Sequence, residues 1–265
     1  MTEKEYRENP AISRSELFKI RESPEKFKYY KENPEPATPS LLLGQVFHKL
    51  ALLPDEFCTE FAVSPNVDRR TKDGKAKWEE FVAESEGKTV VPLDMYERAC
   101  AMVESLNSIP LAKALLNGEH EIPYFWDDDL TGEPCKCRAD CVKKTKAGTK
   151  IIDLKSTNDA STDAFMRDAI KYGYDFQAGM YLEGYKQATK DEATFVFVVV
   201  EKEPPYSVNI LEANKTFTTR GYDLFREYIG TYHECKITDN WWGYLGQSDM
   251  INELSLPAWL LKEIE

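Results

Sequence analysis

Through the first 116 residues, apolar positions return every three or four residues, the spacing of one helix face. Beyond them the spacing drops to two. "SRSELFKIRESPEKFKYYKE" opens with cap-type serines, Ser13 and Ser15, and Glu16 stands three after Ser13 as in a capping box. "ENPEPATPS" is a proline-rich loop, and "SLLLGQVFHKLALL" predicts a buried helix capped by Ser40. Residues 54 to 74 carry no clear period. Helical spacing resumes at about 75–86 and 93–116. Then "HEIPYFWD", "EPCKCRADCV" and "TKIIDLKS" predict three strands joined by the turns "DDLTGE" and "KAGT". Helices are predicted at about 159–171 and 174–189. "ATFVFVVVE" follows as a continuous β-branched and aromatic run, the pattern of a strand covered on both faces. "YSVNILEA" pairs with it after "EPP", and a long helix covers about 215–235. The order predicts an α/β fold with a sheet flanked by helices. It is expected as one domain over 1–265: a helical part to about 117, a sheet core over about 118–212, and a C-terminal helix with an aromatic tail from about 213.

Composition narrows the class. No apolar run approaches bilayer length, and "MTEKEYRENP" lacks the basic start and apolar segment of a signal peptide, so a cytosolic protein with reduced thiols is expected. The net charge of −12 argues against a nucleic-acid partner when taken alone. Two runs depart from it: "RRTKDGKAK", with five basic residues and one acid, and "KKTKAGTK", with four basic residues and no acid. Such runs are either solvated surface or a phosphate-facing edge.

The strand residues carry the chemistry. In "KCRADCV", alternation puts Lys136, Arg138 and Asp140 on one face, and Cys135, Cys137, Ala139 and Cys141 on the other. In "IIDLKS", Ile151, Asp153 and Lys155 share a face, opposite Ile152 and Leu154. If the strands pair, Asp140, Asp153 and Lys155 can meet in one site. Carboxylates turned toward a core need compensating charge, which Lys155 supplies for one acid and a divalent cation for both. Carboxylate oxygens suit Mg²⁺ or Mn²⁺. Such an ion activates water and neutralises charge on a scissile phosphodiester, while a lysine positions or deprotonates that water. A structural Asp–Lys ion pair is the plainer reading of D-x-K by itself.

Further residues extend the pattern. "GQVFH" places His48 four after Gly44, "HEIPYFW" places Glu121 before Asp140, and "QAGMY" places Gln177 and Tyr181 one turn apart. In order the chain reads G-x-x-x-H, E, R-x-D, D-x-K, Q-x-x-x-Y. This set resembles the RecB-like nuclease domains of the PD-(D/E)xK superfamily, closest to the exodeoxyribonuclease VIII (RecE) type of phage and prophage exonucleases. "ISRSELFKIRESPEKFKYY" also looks like the opening helix of that group, and the likeness runs from about Ile12 to at least Tyr181. The resemblance implies a restriction-endonuclease-like fold, a central mixed sheet flanked by helices with a helical N-terminal part. It implies metal ligation by His48, Asp140, Asp153 and the Leu154 backbone carbonyl, with Glu121 holding a second ion or orienting water. Lys155 takes the catalytic-lysine role, and Gln177 and Tyr181 line the DNA groove. Arg138 either contacts phosphate or bridges to Asp140 or Glu121. By likeness to lambda-type exonucleases, Ser13, Ser15, Arg14 and Arg21 are candidates for holding a 5′ phosphate.

The same resemblance implies one or two Mg²⁺ (or Mn²⁺) ions per site, and linear double-stranded DNA digested from a 5′ end to leave a 3′ single strand for a recombinase or single-strand annealing protein. It also implies a ring-like homo-oligomer working in the cytoplasm of a bacterial host, from a phage or prophage gene. Two alternatives stand beside it: a single-strand or structure-specific nuclease of the defence or CRISPR type, and a catalytically silent DNA-binding module. Relatives with an iron–sulfur cluster carry three cysteines after the Q-x-x-x-Y helix, where this chain has only Cys235. No such cluster is expected. Cys135, Cys137 and Cys141 are read as small apolar residues on a covered strand face. "NWWGYLGQ" and "LPAWL" either stack on unpaired bases or are buried at an interface or lid.

Overall fold

The structure is a computed structural model that describes residues 1, 3–34, 36, 38–246 and 251–256. The helical third holds α1 (Glu3–Glu8), α2 (Arg14–Leu17), α3 (Pro24–Glu32), α4 (Pro39–Leu52), α5 (Phe57–Glu60), α6 (Lys72–Glu84), α7 (Leu93–Ser108) and α8 (Pro110–Leu116). Short strands β1 (Ile12–Ser13), β2 (Phe61–Val63) and β3 (Thr89–Val91) lie among them. The sheet core follows: β4 (Glu119–Asp127), β5 (Pro134–Thr145), β6 (Gly148–Thr157), α9 (Thr162–Tyr172), α10 (Tyr174–Thr189), β7 (Ala193–Glu201), β8 (Val208–Glu212) and α11 (Lys215–Thr238).

The main sheet is mixed and six-stranded. β5 is antiparallel to β4 and β6, β6 runs parallel to β7 after the α9–α10 crossover, β7 is antiparallel to β8, and β1 pairs briefly and in parallel with β5. Helices cover both faces. On one side Val46, Phe47, Met102 and Leu106 of α4 and α7 pack on Ile152, Leu154, Val196 and Val198. On the other, Phe165 and Ala178 of α9 and α10 pack on Ile151, Phe195 and Phe197, and α11 closes over Cys135 and Cys137 through Phe225 and Ile229. β7 is therefore covered on both faces, as its unbroken apolar run predicts. No helix among the described residues is long and apolar enough to cross a membrane.

Several local expectations change. α4 is capped by Thr38, not Ser40: the Thr38 side chain accepts from the Leu41 amide at 3.2 Å, and Pro39, which has no N–H to satisfy, takes the first helical position. The predicted helix over 93–116 breaks at Ile109, because Pro110 cannot donate to the preceding turn and starts α8 instead. Ser13 does cap a helix through a complete capping box with Glu16, but α2 is short, and Ser23–Pro24 begins a separate helix, α3. The stretch read as irregular hides β2, which pairs with β3 in a small parallel sheet too short to show a period. The tail segment Leu256–Leu260 lies, beyond its first residue, outside the described residues. Upstream of it Trp241 stacks on Phe27 of α3, with ring centroids 5.5 Å apart.

Candidate active site

β5 and β6 pair only as far as Cys141↔Ile152. From Asp153 onward β6 keeps its ladder with β7, while β5 runs free on that edge until β1 meets it at Lys136. The two aspartates stand where the strands part. The Asp140 carboxylate takes the place of a strand carbonyl there, and its Oδ2 accepts the Leu154 amide at 2.8 Å. β4 is disturbed at the same level. Glu121 falls between the pairs His120↔Cys141 and Ile122↔Ala139 with φ at 52°, a left-handed conformation that costs a glutamate on the order of 1 kcal/mol and is held by its surroundings.

This disturbance corrects one expectation. Cys135, Cys137 and Ala139 pack under α10 and α11, but Cys141 joins the opposite core beside Ile152 and Leu116. Strict alternation from Cys135 to Cys141 fails because the strand turns over at Asp140.

His48 reaches the same point from α4, which lies close against β6. A Cβ on Gly44 would sit 3.4 Å from Ser156 Oγ, in ordinary contact, so alanine fits there and a branched side chain would press on Ser156. The imidazole lies between two acids, with Nε2 2.8 Å from Asp140 Oδ2 and Nδ1 3.4 Å from Glu121 Oε1. Ligand atoms of His48, Glu121 and Asp140 all lie within 4.8 Å of one another. Burial works against a charged imidazole, but the two carboxylates outweigh it and raise His48 above the ordinary histidine value. Arg138 Nε binds Glu121 Oε2 at 2.6 Å, which realises the ion-pair reading of that arginine.

Asp153 stands behind this trio, 2 % exposed. Its Oδ2 is 2.5 Å from Lys155 Nζ, and its Oδ1 accepts from Gln177 Nε2 of α10 at 2.5 Å. Burial, with the charge of Asp140 nearby, pushes the Asp153 carboxyl up to about 6 against the pull of Lys155. Burial would lower Lys155, but Asp153 and Asp140 hold it above the ordinary lysine value. Its ammonium also lies 4.9 Å from the ring centroid of Tyr174, a neighbour the sequence reading did not single out. Oδ2 of Asp153 has the Lys155 ammonium as its close partner. One imidazole and several carboxylates suit a hard divalent cation.

The remaining candidates divide. A cleft of about 840 Å³ opens beside the acids, and Arg14, His48, Glu121, Arg138, Lys155 and Gln177 are among its lining residues, together with Leu154; Asp140 and Asp153 lie behind that lining and do not form part of it. Arg14 donates to the Gly173 carbonyl at 2.8 Å between α9 and α10. Tyr181 is half-buried against the core and does not line the cleft. Neither do Ser13, Ser15 and Arg21. The Ser13 hydroxyl serves its capping box, Ser15 lies 3.3 Å from it on the surface, and Arg21 binds the Lys171 carbonyl at 2.9 Å.

Comparison with known proteins fits this geometry. A crystal structure from Eubacterium rectale, of a protein provisionally named an exonuclease, superposes with a TM-score of 0.63 at 12% identity, covering 98% of this chain and 97% of that one. It shares the fold. The crystal structure of SSO0001 covers 71% of this chain and 85% of its own at 15% identity, with a TM-score of 0.34 that carries no argument. No curated protein is significantly similar to the chain. Residues 13–254 match the family model described as a PDDEXK-like domain of unknown function (DUF3799), and the chain belongs to that family, within the PD-(D/E)xK superfamily.

Proposed function

We propose that the protein is a metal-dependent DNA exonuclease that hydrolyses linear double-stranded DNA from a 5′ end and leaves a 3′ single strand for recombination, as RecE-type enzymes do. One observation carries the reading: His48, Glu121 and Asp140 converge where β5 and β6 part, with Asp153 and Lys155 immediately behind. The provisional exonuclease name of the Eubacterium rectale protein, which shares the fold, supports it as well.

His48, Glu121, Asp140 and Asp153, with the Leu154 carbonyl, would hold Mg²⁺ or Mn²⁺, which when bound supplies an activated water and neutralises charge on the phosphate. The protein's own groups do the rest. Lys155 would position the attacking water or take its proton, and would stabilise charge that builds on the phosphoryl oxygens. Gln177 fixes the Asp153 carboxylate through Oδ1, leaving Oδ2 toward Lys155. Arg138 restrains Glu121, so the imidazole keeps its place between two acids. The lining basic residues Arg7, Arg14, Lys49, Arg138, Lys155 and Lys202 outnumber Glu60, Glu121 and Asp168, which gives an otherwise acidic protein a cleft suited to a polyanion. A ring-like oligomer and an annealing partner in a bacterial cytoplasm belong to this proposal.

The test uses end-labelled linear duplex with Mg²⁺ or EDTA, with 5′-phosphate and 5′-hydroxyl ends compared. Mononucleotides should appear only with Mg²⁺, and Lys155→Ala should slow their release by roughly 10²–10³-fold. Covalently closed circles cut as fast as linear DNA would remove the exonuclease assignment and leave the nuclease one.

A further inference from the structure

The turn after β7 brings an additional cation to the cleft. The Lys202 amide donates to the Thr157 carbonyl at 2.9 Å, which sets this residue just beyond the C-terminal end of β6. Its Nζ donates to Ser40 Oγ, in the first turn of α4, at 2.8 Å. Both residues line the cleft, as do Thr38 and Asn158. The turn therefore ties the end of the sheet to the start of the helix that carries His48.

The charge balance of Lys202 differs from that of its neighbours. Lys49 is paired with Glu60, Arg138 with Glu121 and Lys155 with Asp153. Lys202 is half-buried, and among the described residues it makes no ion pair; its partner is a neutral hydroxyl. Burial holds its ammonium below the ordinary lysine value. Asp168 is the acid whose field reaches it, and that carboxylate accepts a hydrogen bond from Thr157 Oγ1 at 3.2 Å. A partly desolvated ammonium without a counter-ion is under-compensated, and an anion entering from the cleft would complete it. Along β6, Lys155 is paired with Val199 and Thr157 with Glu201, so Lys202 lies two to three strand residues, ~7–10 Å, from the Lys155 level. Neighbouring phosphates of one strand lie about twice as far apart as the ~3.4 Å axial rise per nucleotide, so that span is a little more than one phosphate step.

We propose that Lys202 and Ser40 form a second phosphate subsite, which grips the backbone of the substrate strand one or two phosphates from the bond being cut. The subsite rests on the nuclease reading and adds to it a positioning residue that fixes the strand's path across the end of the sheet. Lys202 supplies charge, and the Ser40 hydroxyl turns from the lysine to the phosphate as a donor.

The experiment measures binding of a labelled oligonucleotide in Mg²⁺ across a salt series, in a Lys155→Ala background so that the DNA stays intact. Lys202→Met should weaken binding and flatten the slope of log K against log salt by roughly 0.7–0.9, the loss of one phosphate contact. Lys202→Arg should restore the slope. Ser40→Ala should weaken binding with the slope intact, because it removes no charge. With Lys155 present, Lys202→Met should raise KM more than it lowers kcat, which a merely structural residue would not do. Should Lys202→Met fail to fold, Lys202→Gln, which can still reach Ser40, carries the same expectation. An unchanged slope in the neutral variant, with the wild type cutting DNA, overturns the subsite and leaves the nuclease standing. A wild type that neither binds nor cuts DNA in Mg²⁺ overturns both.

Discussion

Replacing Arg226 tests how the hairpin that carries two of the site's acids is held. Glu121 lies on β4 and Asp140 on β5, and the turn between these strands is anchored through Asp128. Asp128 is 3 % exposed. Arg226 of α11 binds both of its oxygens, with Nη2 3.0 Å from Oδ2, and Thr131 adds bonds to Oδ2 from its amide at 2.9 Å and its hydroxyl at 2.7 Å. Burial alone would raise the Asp128 carboxyl, but the hydrogen bonds from Arg226 and Thr131 bring it below the ordinary value. Arg226→Met keeps much of the apolar stem and removes the charge. It leaves a buried carboxylate with only the two Thr131 bonds, which should cost about 3 kcal/mol, the low end for orphaning one member of a buried pair. For a chain of this size that is roughly 6–12 °C in Tm at pH 7. The sign with pH follows from the direction of the shift. A depressed carboxyl contributes stability above its unfolded value of about 3.9, and that contribution is lost as pH falls through the folded value. In the variant, burial without the arginine raises the carboxyl, so its ionised form is penalised at neutral pH and relieved by acid. The gap between the two proteins should therefore be widest near neutrality and close as the pH drops below about 4. Melting curves from pH 7 to pH 3 measure it. A gap that stays constant across that range would mean that the packing of Arg226 over Phe225, and not its charge, holds the turn, and the reasoning would fail.

Further outcomes concern the site itself. Mn²⁺ at a hundred times its Kd should stabilise the wild type by about 2.7 kcal/mol, or roughly 5–10 °C; Asp140→Asn, which removes the carboxylate shared by His48 and the Leu154 amide, should abolish that shift in a thermal melt. Gly44→Ala should be tolerated. Gly44→Val should cost about 1–3 kcal/mol and weaken Mn²⁺ binding, because the larger side chain pushes α4 off Ser156 and carries His48 with it; equal Mn²⁺ affinity in both variants would rule out that coupling.

Much of the sheet was legible because its strands are ruled by local alternation and their turns by local chemistry. β4, β5, β6 and β7 all fall where period-two spacing or an unbroken apolar run puts them. The helical third was read less well. Pro110 and Ser23–Pro24 divide what periodicity joins, and β2 is too short for any period to show. Alternation also failed at Asp140, where the strand turns over and sends Cys141 to the face opposite Cys137.

Taken alone, the amino-acid sequence determined that three acids and a lysine sit on strands of a helix-flanked sheet, because strand alternation depends on spacing within a few residues. That these residues and a histidine form one candidate site was an expectation drawn from their order along the chain and its resemblance to a nuclease family, not from local spacing. Only the tertiary structure decided that β5 and β6 separate at the aspartates, that α4 lowers His48 between Glu121 and Asp140, and that Lys202 meets Ser40 across 162 positions of the chain. Those contacts join segments far apart in sequence. Their positions are set by packing on both faces of the sheet, and no short-range pattern encodes that.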